Sequence, residues 1–336
     1  MDTLTHIALG AVIGEAYAGK KLGKRAMVIG ALAQSLPDID FVASFWLPAA
    51  DNLIVHRGIT HSILFSLIAT VLLALAAYRW HKTPTLSPSH WAVFFGIEIF
   101  VHLFLDAFNN YGVGWFEPFS HYRISFNTLF VADPFYSLWI GVAFLVLLLL
   151  KSNSKKRKTW TRFGLVMSSL YLVYALFNKV IINTAVEKNL MQQNLVHTRF
   201  FTTPTALNNW LWYIVAEDAS GYYIGYRSVF DRKDSIGFRH FKRQEKLLDP
   251  IKKQDDLQQL LRFAQGYYTV ETWGDTLVFN DLRFGQIMGW NHDQAPFVFH
   301  YYLQHPTRNL LVIQRGRFTG WDRKNLKSLV KRIQGN

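Results

Sequence analysis

Residues 55–80, VHRGITHSILFSLIATVLLALAAYRW, join a short polar motif to a long apolar run. His56, Arg57 and His61 stand directly before the run, which extends from residue 62 to residue 80 without an acidic residue. A run of about 20 apolar residues is long enough to cross a bilayer as a helix. Because polar groups at a membrane edge are costly to desolvate, we expect the motif to be there for a function.

The apolar run is one of several in the first half of the chain. Six apolar segments occupy residues 4–18, 26–36, 62–80, 90–108, 131–150 and 160–182. The first two are short and either span the bilayer or form tilted or re-entrant pieces. The sequence therefore predicts a mostly α fold whose first domain, residues 1–182, is a polytopic membrane helical bundle.

The pattern changes after residue 182. Aromatic and β-branched stretches typical of strands follow, namely WLWYIVAE, GYYIGYRSVF, GYYTVETW, TLVFNDLRFG and FVFHYYL. QDDLQQLLRFAQ and RKNLKSLVKRI have helical spacing instead. These stretches predict a soluble α+β domain over residues 183–336.

The charge of the chain is distributed unevenly between its connections. The 336 residues include 36 Lys and Arg against 23 Asp and Glu. Eleven of the basic residues lie in connections 19–25, 79–89 and 151–159, and only two, Arg57 and Arg123, lie in 37–61 and 109–130. The positive-inside rule then puts the basic connections in the cytoplasm and makes the C-terminal domain face outward. We expect a lipid bilayer and no nucleic acid as partner, while the oligomeric state stays open.

Several polar side chains stand where a membrane bundle is expected to be apolar. Cysteine is absent, so any metal must be held by His, Asp or Glu. His102 and Asp106 are four residues apart and share a helix face, with Glu98 one turn deeper. The charge-derived topology brings most of these groups to the same outward end. They predict a metal site whose ligands are His6, Asp38, Asp40, His56, His61, His102 and Asp106, with Glu98 behind them.

The chemistry of this set favours Zn²⁺, with Mn or Fe as alternatives, and seven ligands suffice for two or more ions. Such clusters activate water for attack at phosphorus. In this hypothesis Asp40 is a catalytic bridging ligand or general base, and Arg57 binds a phosphate oxygen. Arg283 in NDLRFGQ contacts the substrate, a phospholipid or other lipid-linked phosphate. The alternatives are a turn or helix cap for the Asp pair, interfacial snorkelling for His56 and Arg57, and a β-turn with a surface ion pair around Arg283.

Four motifs give the chain a resemblance to a known family. THIALGAVIGE, LPDID, HRGITHS and HLFLDAFNNYG, within residues 1–140, resemble the YdjM-like family of predicted membrane-bound metal-dependent hydrolases. The resemblance implies a bacterial inner-membrane protein and a distant relation to zinc-dependent phospholipases C and single-strand-specific zinc nucleases, which cleave phosphodiesters with three zinc ions in a helical fold. The resemblance further implies that the two Asp of LPDID, the two His of HRGITHS and the His and Asp of HLFLD occupy metal-ligand positions. The soluble relatives also use a free N-terminal amine, for which His6 is the nearer candidate here.

A non-enzymatic function competes with the hydrolase hypothesis. The chain is then a metal-binding membrane protein, either a transporter or a protein with a structural metal site. A transporter needs polar groups through the whole depth of the membrane. Beyond Glu98 and Glu15 the apolar segments hold few of them, which argues against a transporter. A structural metal site agrees with the sequence except for Arg57 and the surplus of ligands.

Overall fold

The computed structural model describes residues 1–80, 86–251, 254–292, 294–303 and 322–335. Two compact units are present: residues 1–43 with 55–175, and residues 44–54 with 176–336. The first unit is helical, and the second contains the strands. The seven helices up to residue 192 are α1 (Thr3–Leu22), α2 (Arg25–Gln34), α3 (Ala49–Val55), α4 (Ile63–Trp80), α5 (Pro88–Asp106), α6 (Pro134–Leu149) and α7 (Lys156–Gln192). Two 3₁₀ segments, Pro37–Phe45 and Ile59–His61, connect the helices that carry the polar motifs.

Each of the six apolar segments is a helix, but they differ in length. Three helices, α4, α5 and α7, are long and apolar enough to cross a membrane. A fourth candidate is the pair formed by α2 and the 3₁₀ segment Pro37–Phe45, which is bent by 58°. Pro37 explains the break, because proline lacks an amide hydrogen and disfavours a helical residue before it. The described residues thus provide three candidate spans, or four with the bent pair, and the six predicted spans stay a prediction.

Helix α1 is the central helix of the first unit. It packs against α2, α5 and α6, and its Leu9 and Val12 are buried with Ile140 and Leu147 of α6. Burial by neighbouring helices explains its modest apolar character, since it does not need a lipid-facing surface. Its N-terminus is fixed by Asp2, whose carboxylate accepts a hydrogen bond from the Thr5 amide at 3.0 Å.

Glycines allow α1 and α2 to pack closely. A Cβ on Gly10 or Gly14 of α1 would collide with the backbone of Gly30 or Ala26 of α2, and a Cβ on Gly30 would collide with the carbonyl of Gly10. Small residues at a helix crossing permit the backbones to approach, as is typical of membrane helices. This close contact holds α1, which carries His6, beside α2, which leads into Pro37 and the Asp pair.

The second unit contains two antiparallel sheets. The first has the order β1 (Arg199–Pro204), β2 (Leu211–Glu217), β3 (Gly221–Ser228), β4 (Phe238–Lys242). The second has the order β5 (Tyr268–Trp273), β6 (Thr276–Gln286), β7 (Phe297–Tyr302). A 3₁₀ segment, Glu245–Ile251, and helices α8 (Asp255–Ala264) and α9 (Arg323–Ile333) complete the described elements.

Strand β2 is buried on both faces. Trp212, Ile214 and Ala216 pack with the C-terminal part of α7, and Tyr213 and Val215 pack on the opposite side with residues of β3, β6 and β7. This two-sided burial explains why WLWYIVAE reads as a nearly continuous apolar run. The strand-like stretches of the sequence all form strands, whereas β1 and β4 lie outside them.

Candidate metal centre

Four side chains from three separate segments meet in the first unit. Asp38 comes from the 3₁₀ segment after α2, His61 from the turn before α4, and His102 and Asp106 from the last turns of α5. One nitrogen or oxygen of each lies within 4.8 Å of the others. His61, His102 and Asp106 are fully buried, and the side chain of Asp38 is 16% exposed. The described residues of this cluster therefore offer two imidazoles and two carboxylates to one ion.

The distances between the donor atoms match those of a tetrahedral site. His61 Nε2 lies 3.5 Å from Asp38 Oδ1 and 3.5 Å from Asp106 Oδ2. His102 Nε2 lies 3.6 Å and 3.7 Å from the same two oxygens, and 3.1 Å from His61 Nε2. Donors bound at roughly 2.0–2.2 Å around a tetrahedral zinc ion are about 3.4 Å apart. Five of the six distances between the donor atoms, 3.1–3.7 Å, are thus close to the edge length of a tetrahedral zinc site.

In each of the two histidines, polar contacts at Nδ1 fix the orientation of the ring. His102 Nδ1 donates to the carbonyl oxygen of Gln34 at 2.6 Å. His61 Nδ1 lies 3.3 Å from Asp40 Oδ2 and 3.1 Å from the Thr60 hydroxyl, which itself donates to Asp40. A hydrogen on each Nδ1 leaves a lone pair on each Nε2, the arrangement found in metal-binding histidines. Two such lone pairs 3.1 Å apart repel each other unless a proton or a metal ion lies between them.

The charge around His61 also favours a cation. Burial lowers the pKa of His61, but hydrogen bonds to Asp106, Asp38 and Asp40 and the charge of Asp40 raise it to about 10. In the metal-free protein the carboxylates thus hold a proton on this ring. A metal ion at this position would replace that proton, because it would satisfy the same oxygens and take the Nε2 lone pair.

Asp40 and His56 lie beside the four-donor set. Asp40 Oδ2 accepts from the Arg57 amide at 2.8 Å, and Asp40 Oδ1 lies 3.0 Å from His56 Nδ1. The two carboxylates of the PDID motif therefore flank His61 on opposite nitrogens, Asp38 at Nε2 and Asp40 at Nδ1. The side chain of His56 is 35% exposed, so with Asp38 it marks the open side of the centre. Direct ligation by Asp40 or His56 and a catalytic role of Asp40 stay predictions.

Arg57 is buried against Asp106, one of the four candidate donors. Its Nε lies 2.9 Å from Asp106 Oδ2, and its Nη1 donates to Asn109 Oδ1 at 2.7 Å. The residue adopts φ +59°, a left-handed conformation that is uncommon outside glycine and typical of functional sites. Phosphate binding by Arg57 stays a prediction.

His6 and Glu98 lie on the inner sides of the cluster. His6 stacks on His102 with ring centroids 3.8 Å apart, and its Nε2 lies 3.1 Å from Asp106 Oδ1. The backbone nitrogen of Met1 contacts the same oxygen. With its amide nitrogen turned toward Glu98, the Gln34 side chain donates to Glu98 Oε2 at 3.0 Å. The backbone carbonyl of Gln34 accepts a hydrogen bond from His102. Gln34 therefore links Glu98 to the centre.

Sequence reasoning missed four contributors to the centre: the Gln34 carbonyl, the Thr60 hydroxyl, the Asn109 amide and the Met1 nitrogen. Thr60 and Asn109 stand within the motifs HRGITHS and HLFLDAFNNYG, so proximity along the chain was a usable signal. A backbone carbonyl carries no such signal, because every residue has one.

Arg283 belongs to the second unit. Its guanidinium donates to Asp281 Oδ2 at 2.6 Å, and both residues are buried in strand β6. The alternative of a β-turn with a surface ion pair is therefore wrong. Substrate binding by Arg283 stays a prediction.

Comparison with known proteins agrees with the membrane character of the chain. Residues 1–182, which include all four donors, match the model of the YdjM inner membrane protein family. No solved structure matches the chain significantly.

Two curated proteins are similar in sequence. The chain is 30% identical to the inner membrane protein YbcI of Escherichia coli (strain K12) over 122 residues. The aligned region covers 36% of this chain and 69% of that protein. It is 25% identical over 340 aligned positions to the uncharacterized protein YfhP of Bacillus subtilis (strain 168), over 96% of this chain and 95% of that protein. The family match, the similarity to YbcI and the apolar helices support an inner-membrane location. The chain belongs to the YdjM inner membrane protein family.

Proposed function

We propose that this protein is a membrane-bound metal-dependent hydrolase that cleaves a phosphoric ester, with a phospholipid or other lipid-linked phosphate as substrate. The observation that carries the proposal is the pair of imidazole Nε2 atoms, 3.1 Å apart, facing the oxygens of Asp38 and Asp106. This set of two His and two Asp suits Zn²⁺, with Mn or Fe as alternatives, and a second ion is to be sought at Asp40 and His56.

The residues around the donors have defined tasks in this proposal. A divalent cation held by Asp38, His61, His102 and Asp106 supplies Lewis-acid chemistry that activates water and polarises a phosphoryl oxygen. Asp40 orients His61, and the Gln34 carbonyl orients His102. Arg57 holds the carboxylate of Asp106 and brings a fixed positive charge to the centre.

The topology suits a substrate from the membrane. The donors lie at the ends of α2 and α5 and at the start of α4. If these helices span the bilayer, their ends lie near the membrane–water boundary. Eleven basic residues in the connections at the other end, against two near the centre, favour a centre that faces outward in a six-span arrangement. A head group in the outer leaflet then reaches the open side at Asp38 and His56. The relation to zinc-dependent phospholipases C is part of this proposal.

A hydrolysis assay on the full chain tests the proposal. Purified protein equilibrated with Zn²⁺ or Mn²⁺ is given bis-p-nitrophenyl phosphate and phosphatidylglycerol in mixed micelles. We expect turnover that falls on the order of 10³-fold in His102→Ala, because metal activation of water contributes several kcal/mol. His121→Ala, at a half-exposed histidine outside the donor set, is the matched control and should keep its activity.

A structural metal site is the second candidate, and burial favours it. Three of the four donors are fully closed from solvent, as in structural zinc sites, whereas catalytic sites keep an open position. Under this alternative, metal-loaded protein hydrolyses neither substrate, and chelation lowers the midpoint of thermal unfolding. Metal-dependent turnover lost in His102→Ala excludes a purely structural role.

A further inference from the structure

A second cavity of the first unit lies far from the metal centre. It has a volume of about 780 Å³ and is formed by the end of α1, the connection after α6 and the start of α7. Its volume is within the range of roughly 300–1,000 Å³ that is typical of small-molecule sites. His6 of the metal centre and Lys20 of the cavity are 14 positions apart on α1, or about 21 Å along the helix axis. The cavity is thus a separate site.

The charge of this cavity is strongly positive. One ion pair lies inside it: Arg157 donates through Nε and Nη2 to the two oxygens of Glu15, each at 2.7 Å. That pair is buried and neutral as a unit. The remaining charged side chains of the cavity are all basic: Lys20, Lys155, Lys158 and Arg162. Among the described residues none of these four has a carboxylate partner, so the cavity offers about four positive charges to an anion.

An apolar surface continues from the cationic cavity along α7. Leu165 and Ala16 line the cavity itself. Phe163, Val166 and Leu170 are exposed on the following turns, 36%, 54% and 56% respectively. Helix α7 is long and apolar enough to cross a membrane, so this exposed surface is suited to acyl chains. A ligand that uses both surfaces has an anionic head and an apolar tail.

We infer that this cavity binds the phosphate head group of an anionic phospholipid. The four cations face the phosphate, and the acyl chains lie along the apolar side of α7. Basic pockets between membrane helices bind anionic lipid head groups by this combination. The site belongs to the leaflet on the side of the basic connections, opposite the metal centre, and does not depend on hydrolase activity.

Thermal unfolding of the full-length protein in an uncharged detergent tests the inference. The probes are phosphatidylglycerol in phosphatidylcholine micelles, phosphatidylcholine alone and inorganic phosphate. A ligand that binds the folded state raises the unfolding midpoint with its concentration. About 0.15 M salt screens charges that lie outside the cavity. We expect phosphatidylglycerol to stabilise the wild type and phosphatidylcholine alone to have little effect.

Two triple variants of equal net charge distinguish lipid binding in the cavity from a general electrostatic attraction between the basic protein and anionic lipid. The cavity variant is Lys20→Gln, Lys155→Gln and Lys158→Gln. The matched control is Lys21→Gln, Lys151→Gln and Lys156→Gln, from the same connections but outside the cavity lining. We expect half-saturation of the cavity variant at a phosphatidylglycerol concentration at least about tenfold above that of the control.

Three results overturn the inference: equal half-saturation in the two triple variants, stabilisation by phosphatidylcholine alone, or the same cavity-dependent stabilisation by inorganic phosphate. The last result assigns the site to a soluble anion. If the cavity variant does not fold, Arg162→Gln replaces it, because the Arg162 side chain is exposed. The single charge should shift half-saturation about fivefold, and no shift there also overturns the inference.

Discussion

His61 has a carboxylate at each ring nitrogen, and this explains why the HRGITHS motif tolerates the cost of burial. Asp40 lies 3.3 Å from Nδ1, while Asp38 and Asp106 each lie 3.5 Å from Nε2. A neutral imidazole has one N–H group and can therefore donate a hydrogen bond to a carboxylate at only one of its two nitrogens. A cation at Nε2 satisfies the other side, which makes the cluster less costly than its separate members.

A substitution of Asp40 distinguishes two roles of this residue: orienting the His61 ring, or binding the metal ion directly. Asp40→Asn keeps an oxygen that can accept from the Arg57 amide but removes the charge beside His61 Nδ1. We expect metal affinity to fall about 10–100-fold, with the metal still bound at saturation, as for other residues that orient a ligand. A competition titration with a zinc chelator measures this. Complete loss of metal at saturation contradicts an orienting role and makes Asp40 a direct ligand.

At the scale of elements, the crossing of α1 and α2 depends on glycine. The sequence predicts both helices but not the distance between them. The periodic spacing of apolar residues shows which face of a helix is buried, but it does not show how closely two helices approach each other. The contact of Gly30 with the backbone of Gly10 becomes visible once both helices are placed. The same holds for the oriented carbonyl of Gln34 at the end of α2.

Gly30→Ala tests this crossing, and Gly141→Ala is its matched control. A Cβ at Gly30 meets the Gly10 backbone and the Glu98 carboxylate, whereas a Cβ at Gly141 of α6 meets nothing within 4 Å. We expect Gly30→Ala to lower the free energy of unfolding by about 1–3 kcal/mol through overpacking. Gly141→Ala should be neutral or stabilising by up to about 1 kcal/mol. Unfolding curves in detergent measure both, and equal effects would show that the helices do not pack closely.

The ion pair between Glu15 and Arg157 connects α1 with α7. The two side chains are 9% and 4% exposed, and Arg157 also donates to the carbonyls of Leu147 and Leu150 at the end of α6. Removing one member leaves an uncompensated buried charge. Arg157→Gln should therefore cost about 3–5 kcal/mol, while the double variant with Glu15→Gln recovers much of that loss. Additive losses in the double-mutant cycle would contradict a coupled pair.

At the scale of the whole molecule, the basic connections predict the orientation in the membrane. Reporter fusions after residues 24 and 154 should give a cytoplasmic signal, and fusions after residue 112 an outward signal. The opposite pattern would turn the metal centre toward the cytoplasm and remove the argument for an outer-leaflet substrate. A fusion after residue 24 is not sufficient alone, because neither α1 nor α2 is by itself one of the candidate spans.

The sequence predicted the features that depend on residues close to one another along the chain. Apolar length predicted the helices, short aromatic and β-branched stretches predicted strands such as β6, and the four-residue spacing predicted that His102 and Asp106 share a face. The partner of each His nitrogen and the conformation of Arg57 could not be predicted, because they depend on packing between segments up to 100 positions apart. The burial of Arg283 with Asp281 likewise depends on the second sheet and not on the NDLRFGQ motif.

The metal content of the purified full-length protein tests the central claim most directly. After equilibration with Zn²⁺ and removal of free ions, elemental analysis should find about one ion per chain in the wild type and in the control His121→Ala. The double variant His61→Ala and Asp106→Asn should hold none, because it loses two of the four donors and still keeps the surface histidines. Equal zinc content in the double variant and the wild type, or a wild type that retains no ion, would contradict the assignment of the metal centre.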